Sequence, residues 1–137
     1  MNNKISKDVA VAELDKFLFE VKKINKEMLL SGAYGAYVKE YYIRLINDIA
    51  AGYFYFKDDK IVQRLDFPCG DETEISFSPR LKARDLSRQA AYAMNDVDGR
   101  QCELTAILTG QAAGIIQDMD SNDFERSKRV NEFYFLG

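Results

Sequence analysis

Apolar side chains recur at Leu14, Phe17, Leu18, Val21, Ile24 and Met28, the i, i+3, i+4, i+7 spacing of a helix with one buried face. Lys16, Glu20, Lys22, Lys23, Lys26 and Glu27 fall mostly off that stripe, and Ser6 and Asp8 are residue types that cap a helix start. The pattern predicts one amphipathic helix ending near Leu30. After Ser31-Gly32-Ala33, a second stripe of Tyr34, Val38, Tyr41, Leu45 and Ile49 predicts a helix that stops at Gly52, a residue suited to the left-handed position beyond a helix end. The short connection predicts an antiparallel pair.

From Tyr53 the period falls to about two. Tyr53–Phe56 and Lys60–Leu65, joined by the polar turn Lys57-Asp58-Asp59, predict a hairpin. Phe67-Pro68-Cys69-Gly70-Asp71 is a second turn signal, and the alternation in Glu74–Ser78 predicts another half-buried strand. The remainder returns to helical spacing. A helix is expected over about 82–94 (Leu86, Ala90, Met94), broken by Asn95-Asp96-Val97-Asp98-Gly99. The next runs from about Arg100, burying Cys102, Leu104, Ala106, Ile107 and Leu108, to Thr109-Gly110. A short turn of helix over 111–119 turns Ile115 and Ile116 inward, and Ser121 caps a last helix carrying Phe124, Val130 and Phe133. The fold class expected is α+β and mostly helical: an N-terminal helix pair over 1–52, then over 53–137 a small antiparallel β-sheet and a C-terminal helical subdomain, in one compact domain.

The composition narrows the function. With 137 residues, 47% apolar and 30% charged, the chain has the makings of a globular domain, and its apolar runs fall short of a membrane span. Nothing in Met1–Lys7 resembles a secretion signal, and the location expected on that reading is a cytoplasm. There is no histidine and no tryptophan, which removes the commonest general base and metal ligand and every Ser-His-Asp or Cys-His arrangement. Cys69 and Cys102 are expected to be reduced and buried. The net charge of −3 divides into +1 over residues 1–68 (11 basic, 10 acidic) and −4 over residues 69–137 (8 basic, 12 acidic), without the basic excess of a nucleic-acid binder.

Candidate chemistry is sparse. Asp96, Asp98 and Gly99 echo a fragment of a calcium loop but lack its ligand ladder. The other acidic groups, Asp58-Asp59, Asp71-Glu72-Glu74 and Asp118/Asp120/Asp123, read as solvated faces, with a carboxylate-metal enzyme as the alternative. Gly32-Ala33-Tyr34-Gly35 has no phosphate-cradling pattern and suits close packing of two helices or a loose helix start. The densest feature is aromatic: Tyr34, Tyr37, Tyr41, Tyr42, Tyr53, Phe54, Tyr55 and Phe56 lie within 23 positions. Core packing accounts for part of it. A protein interface is a second use of such rings, and stacking on single-stranded nucleic acid a third. Arg80, Lys82, Arg84 and Arg88 form a small basic cluster.

Residues 65–135 resemble the tail assembly chaperones of long-tailed bacteriophages. The resemblance rests on the order of three pieces: Thr73-Glu74-Ile75-Ser76-Phe77-Ser78-Pro79-Arg80-Leu81-Lys82-Ala83-Arg84-Asp85-Leu86, then Leu104-Thr105-Ala106-Ile107-Leu108-Thr109-Gly110, then Ile115-Ile116 leading through Met119 to Asp123-Phe124, Val130 and Phe133. It implies a non-enzymatic assembly protein that needs no cofactor or metal. Such a protein coats the long tape measure protein in the host cytoplasm, self-associates, and keeps apolar helices soluble until tail-tube subunits replace it. A structural tail or baseplate subunit of the virion is the nearest alternative. The first 50 or so residues have no counterpart in that family. The residues expected to bind partners are Tyr34, Tyr37, Tyr41, Tyr53 and Tyr55 from the aromatic cluster, Arg80, Lys82 and Arg84 from the basic element, and Phe133 and Phe135 near the end of the chain.

Overall fold

A computed structural model describes residues 3–32, 35–85 and 96–136, the side chains of 133–136 excepted. In chain order it contains α1 (Lys7–Lys16), a π-helical turn (Phe17–Val21), α2 (Lys26–Ser31), α3 (Gly35–Ala51), β1 (Phe54–Lys57), β2 (Lys60–Cys69) and β3 (Glu72–Phe77). Then follow α4 (Val97–Thr109), α5 (Ala113–Gln117) and α6 (Ser121–Leu136). The fold is α+β and mostly helical, with a three-stranded antiparallel sheet in the order β1-β2-β3. Of the helix expected over 82–94, residues 83–85 are helical; Leu86, Ala90 and Met94 lie outside the described residues.

The first expected helix is broken. Ser6 caps α1, its side chain accepting from the Val9 amide at 3.2 Å. The helix widens at Phe17–Val21, turns at Lys23 with φ of 59°, and restarts from an Asn25 cap. The periodic stripe runs unbroken across this corner because the wider turn still buries Phe17 and Leu18. Met28, in phase with the stripe on a continuous helix, is carried out of the core.

Lys22 at the corner is almost fully buried and donates to the Pro79 carbonyl at 3.0 Å. Loss of solvation, with Arg80 nearby, pulls its ammonium down to about 8. The folded protein therefore releases this proton at lower pH than the unfolded chain does. Its cost to stability is full below pH 8 and fades as the pH rises toward 10.5. Lys22→Met is expected to stabilise the protein at pH 7 by about 1–2 kcal/mol, less than the whole shift because the bond to Pro79 is lost and solvent screens the charge. In urea melts the gap between the two proteins should close over that pH window. A gap independent of pH would refute the assignment.

The second helix and the hairpin follow the pattern. Gly52 ends α3 at φ of 95°, and its missing Cβ leaves room for the Asn3 carbonyl, which a side chain would meet at 2.9 Å. Asp58 and Asp59, at φ of 53° and 61°, make the two-residue turn between β1 and β2, the primed type that matches strand twist. In β3, Ile75 and Phe77 are buried while Glu74 and Ser76 face out. β2 runs farther than expected, through the predicted turn at Phe67–Cys69, but not in regular register. Between the pairs Arg64↔Glu74 and Cys69↔Glu72, four residues of β2 oppose Thr73 alone. Pro68, which has no amide hydrogen to give, falls in that stretch.

Three expectations in the C-terminal part are corrected. Asp96 is an N-cap, its side chain accepting from the Gly99 amide at 2.9 Å, so Val97-Asp98-Gly99 forms the first turn of α4, which opens three residues earlier than expected. Asp120, not Ser121, caps α6 through the amides of Asn122 and Asp123 at 3.0 and 3.2 Å, a carboxylate being the stronger acceptor at a helix start. Ile116 is buried, but Ile115 is 36% exposed, because neighbours on a one-turn helix point about 100° apart. Cys102 and Ile107 are half-buried, whereas Cys69 is fully enclosed and donates to the Ile115 carbonyl at 3.0 Å. One apolar core draws on both halves of the chain, from Leu14, Phe17, Leu45 and Ile49 through Phe54 and Phe77 to Leu104 and Val130.

Candidate protein-interaction surface

The buried face of α6 carries polar groups beside Val130. Asp123, Ser127 and Asn131, at i, i+4 and i+8, are all fully buried. The Asp123 carboxylate accepts from the Asp66 and Phe67 amides at 3.0 and 3.1 Å, the groups that the irregular register of β2 leaves unpaired. Gln63 Nε2 donates to the Asp123 carbonyl at 2.8 Å, and the Ser127 hydroxyl donates to Gln63 Oε1 at 2.6 Å. Asn131 Nδ2 is shared between Gln101 Oε1 and Thr105 Oγ1 at 2.9 and 2.8 Å, while its Oδ1 is buried without a partner. Arg129 pairs with Asp48 at 2.6 Å and ties α6 to α3; burial nonetheless raises the Asp48 carboxyl. This network is structural, fixing the register of helix on sheet.

Of the acidic groups read above as solvated faces, Asp58, Asp59, Asp71, Glu72, Glu74 and Asp118 are exposed, whereas Asp120 caps α6 and Asp123 belongs to this network. Among the described residues no three His, Cys, Asp or Glu side chains gather closely enough to hold a metal ion. No described helix is long and apolar enough to cross a membrane. Burial raises both thiols, which keeps them protonated and slow to react.

The aromatic cluster is divided between core and surface. Phe54 and Tyr42 are buried, and the Tyr42 hydroxyl donates to Asp15. Tyr53 lies half-buried under the Arg126 guanidinium, 3.6 Å from the ring centroid. Tyr55 lies under Arg64 at 4.1 Å and donates to Glu74 at 2.6 Å. Phe56 packs on Phe17, and Tyr41 is half-buried. Tyr37 alone among the described rings of the cluster is exposed, at 49%. It donates to the Tyr41 hydroxyl at 3.2 Å, and that bond with burial pushes its own phenol up to about 12. Tyr53 and Tyr55 are thus engaged by arginines within the fold and are not open contact rings. Arg80, Lys82 and Arg84 are exposed. Tyr34 and the side chains of Phe133 and Phe135 lie outside the described residues.

The surface holds apolar groups that the expected set omits. Phe19, on the π-helical turn, is 71% exposed and Met28, on α2, is 72% exposed. They flank the corner at Lys23 on either side in the chain, and Phe19 lines a depression of about 370 Å³ there with Ile24, Asp15 and Lys26. Lys26 pairs with Asp15 at 2.9 Å and lies 5.0 Å from the Tyr42 ring centre, fixing α2 so that Met28 faces outward. Phe67, opposite Asp123, is 58% exposed. One signal for Phe19 is present in the sequence, since it falls off the stripe made by Phe17, Leu18 and Val21. Comparison with known protein families, curated proteins and solved structures finds no match to the chain.

Proposed function

We propose that the protein is a non-catalytic binder of other proteins in bacteriophage tail assembly, acting as a chaperone for the apolar helices of a tape measure protein. The observation that carries the binding role is the exposure of Phe19 and Met28 on one structured corner, where a rigid ring and an adaptable thioether give contact area suited to helical partners. The assembly context rests on the resemblance. Its pieces pack on one another: the amide of Ser78, just after β3, donates to the Leu108 carbonyl at the end of α4 at 2.8 Å, and Asn131 on α6 donates to the Thr105 hydroxyl on α4 at 2.8 Å. The unmatched front of the chain supplies the exposed corner.

Co-expression with a long helical tape measure protein is the test. The reading expects that protein to stay soluble and co-purify, and Phe19→Ala with Met28→Ala to weaken the association at least tenfold, about 1.4 kcal/mol or more. The variant's thermal midpoint should be unchanged, because both side chains are solvated in the free protein. Failure to co-purify or to improve solubility would overturn the chaperone reading, and finding the protein in purified virions would replace it with a tail or baseplate subunit.

A further inference from the structure

The three-stranded sheet has two edges, β1 and β3. The Arg64 amide donates to the Tyr53 carbonyl at 2.8 Å. With the register that β1 keeps on β2, the main-chain groups of Tyr55 and Lys57 then face β2, and those of Phe54 and Phe56 face away. That edge is closed: Phe54 is 1% exposed, Phe56 packs on Phe17, and Asn3–Ile5 lie beside Phe54 and Tyr55. The edge at β3 is open. On the same alternation Ile75 and Phe77 turn their main-chain groups to β2, so the amides and carbonyls of Glu74 and Ser76 point away from the sheet. Ser78 is next in that outward set, and its amide is taken by the Leu108 carbonyl at 2.8 Å, which marks where α4 closes the edge. Glu72, Thr73, Glu74 and Ser76 are exposed. Among the described residues no hydrogen bond is made to the outward main-chain groups of Glu74 and Ser76. Such a row of unpaired groups is a template for another strand.

We infer that the free edge of β3 binds an extended, lysine- or arginine-bearing segment of another protein as a fourth strand of the sheet. The main chain sets the extended conformation, and the charge along the edge chooses the side chains. Asp71, Glu72 and Glu74 place three acids there. Glu74 lies 4.0 Å from Arg64, while Asp71 and Glu72 form no ion pair among the described residues. A second copy of β3 laid antiparallel on this edge brings its own three acids against them, and like charges on paired strands repel. The acids therefore guard the edge against self-pairing, one of the ways an open edge is kept from aggregating. A strand with basic residues opposite Glu72 and Glu74 meets opposite charge instead. Ile75 and Phe77 are buried, so Glu72 and Glu74 lie on the sheet face away from the core, where an incoming ammonium or guanidinium stays solvated. The segment that fits alternates, basic on the face of Glu72 and Glu74 and apolar on the face of Ile75 and Phe77, where α4 packs. The corner at Phe19 and Met28 offers apolar side chains, whereas this edge offers backbone, so the inference stands apart from the tail-assembly reading.

Fluorescence anisotropy of a labelled peptide of about ten residues, alternating lysine and valine, titrated with the full chain, tests it. Saturable binding is expected at about 20 mM salt, weakening roughly tenfold by about 300 mM, and a glutamate–valine peptide should not bind. Attraction by charge alone gives the same pattern, so two further peptides decide. One carries N-methyl groups on its lysines and the other on its valines, at equal charge. Strand addition uses only one of these two sets of amides, so one peptide should lose at least tenfold in affinity and the other should keep it. On the protein, Ser76→Pro removes an outward amide hydrogen and leaves the bonds to β2 in place. Glu72→Lys with Glu74→Gln takes the three acids of the edge from −3 to 0. Each variant should fold, by its circular dichroism, and bind the lysine peptide at least tenfold more weakly. No binding at low salt, equal affinity for the two methylated peptides, or Ser76→Pro binding as wild type does would overturn the inference. So would a dimer of the free protein that Ser76→Pro abolishes, since the edge would then pair with itself. None of these readouts depends on a tape measure protein being present.

Discussion

Asp123→Ala is expected to cost about 3–5 kcal/mol of folding stability, the range for removing one partner of a buried charged network. The side chain is 0% exposed and accepts from two backbone amides, of Asp66 and Phe67, and from Arg126 at 3.3 Å. Those amides sit where four residues of β2 oppose one of β3, so no strand carbonyl takes the place of the carboxylate. Alanine leaves both donors unpaired, each costing about 1–3 kcal/mol if water does not reach it. Arg126 keeps its pair with Asp66 at 3.1 Å and its position over Tyr53, so the loss falls on the strand amides. Urea denaturation measures the total, and hydrogen exchange of the Asp66 and Phe67 amides localises it. A loss below about 1 kcal/mol would mean that water replaces the carboxylate.

Gly35→Ala should be nearly as damaging, for a steric reason. A Cβ at this position would lie 2.1 Å from the Leu30 carbonyl oxygen, and backbone cannot yield as a flexible side chain can. Accommodation requires α3 to move away from α2 and from the Lys26–Asp15–Tyr42 contacts that hold the corner. The expected cost is about 3 kcal/mol, read as a fall of roughly 10 °C in Tm for a chain of this size. Ala36→Ser, at the exposed neighbouring position, should leave Tm unchanged and serves as the control. Equal Tm values for Gly35→Ala and wild type would show that α2 is not held as tightly as described.

The sequence already carried the reason for that sensitivity. Gly32-Ala33-Tyr34-Gly35 reads as close packing of helices, and Gly35 is where two backbones approach too closely for a methyl group. The hairpin, the alternation in β3 and the helix stop at Gly52 were equally legible, because turn chemistry and residue period are local properties. The break in the first helix was not. No glycine or proline marks it, and the stripe from Leu14 to Met28 keeps its phase across a widened turn and a left-handed Lys23. For the same reason the candidate surface was only partly legible. Crowding of rings between residues 34 and 56 signals contact surface, but Tyr53 and Tyr55 are covered by Arg126 and Arg64, whereas Met28, a stripe residue, is exposed.

Local pattern determined the class of fold, the order of its elements and the absence of imidazole chemistry, since each depends on neighbouring residues or on composition alone. Tertiary structure decided which polar groups lie inside. Asp123, Ser127 and Asn131 have the spacing of a solvated helix face and are buried, because Gln63, Gln101, Thr105 and the loosened amides of β2 satisfy most of their hydrogen bonds. Those partners lie 26 to 64 residues away. A polar residue is stable in a core only when its partner arrives there too, and that meeting exists only in the folded chain.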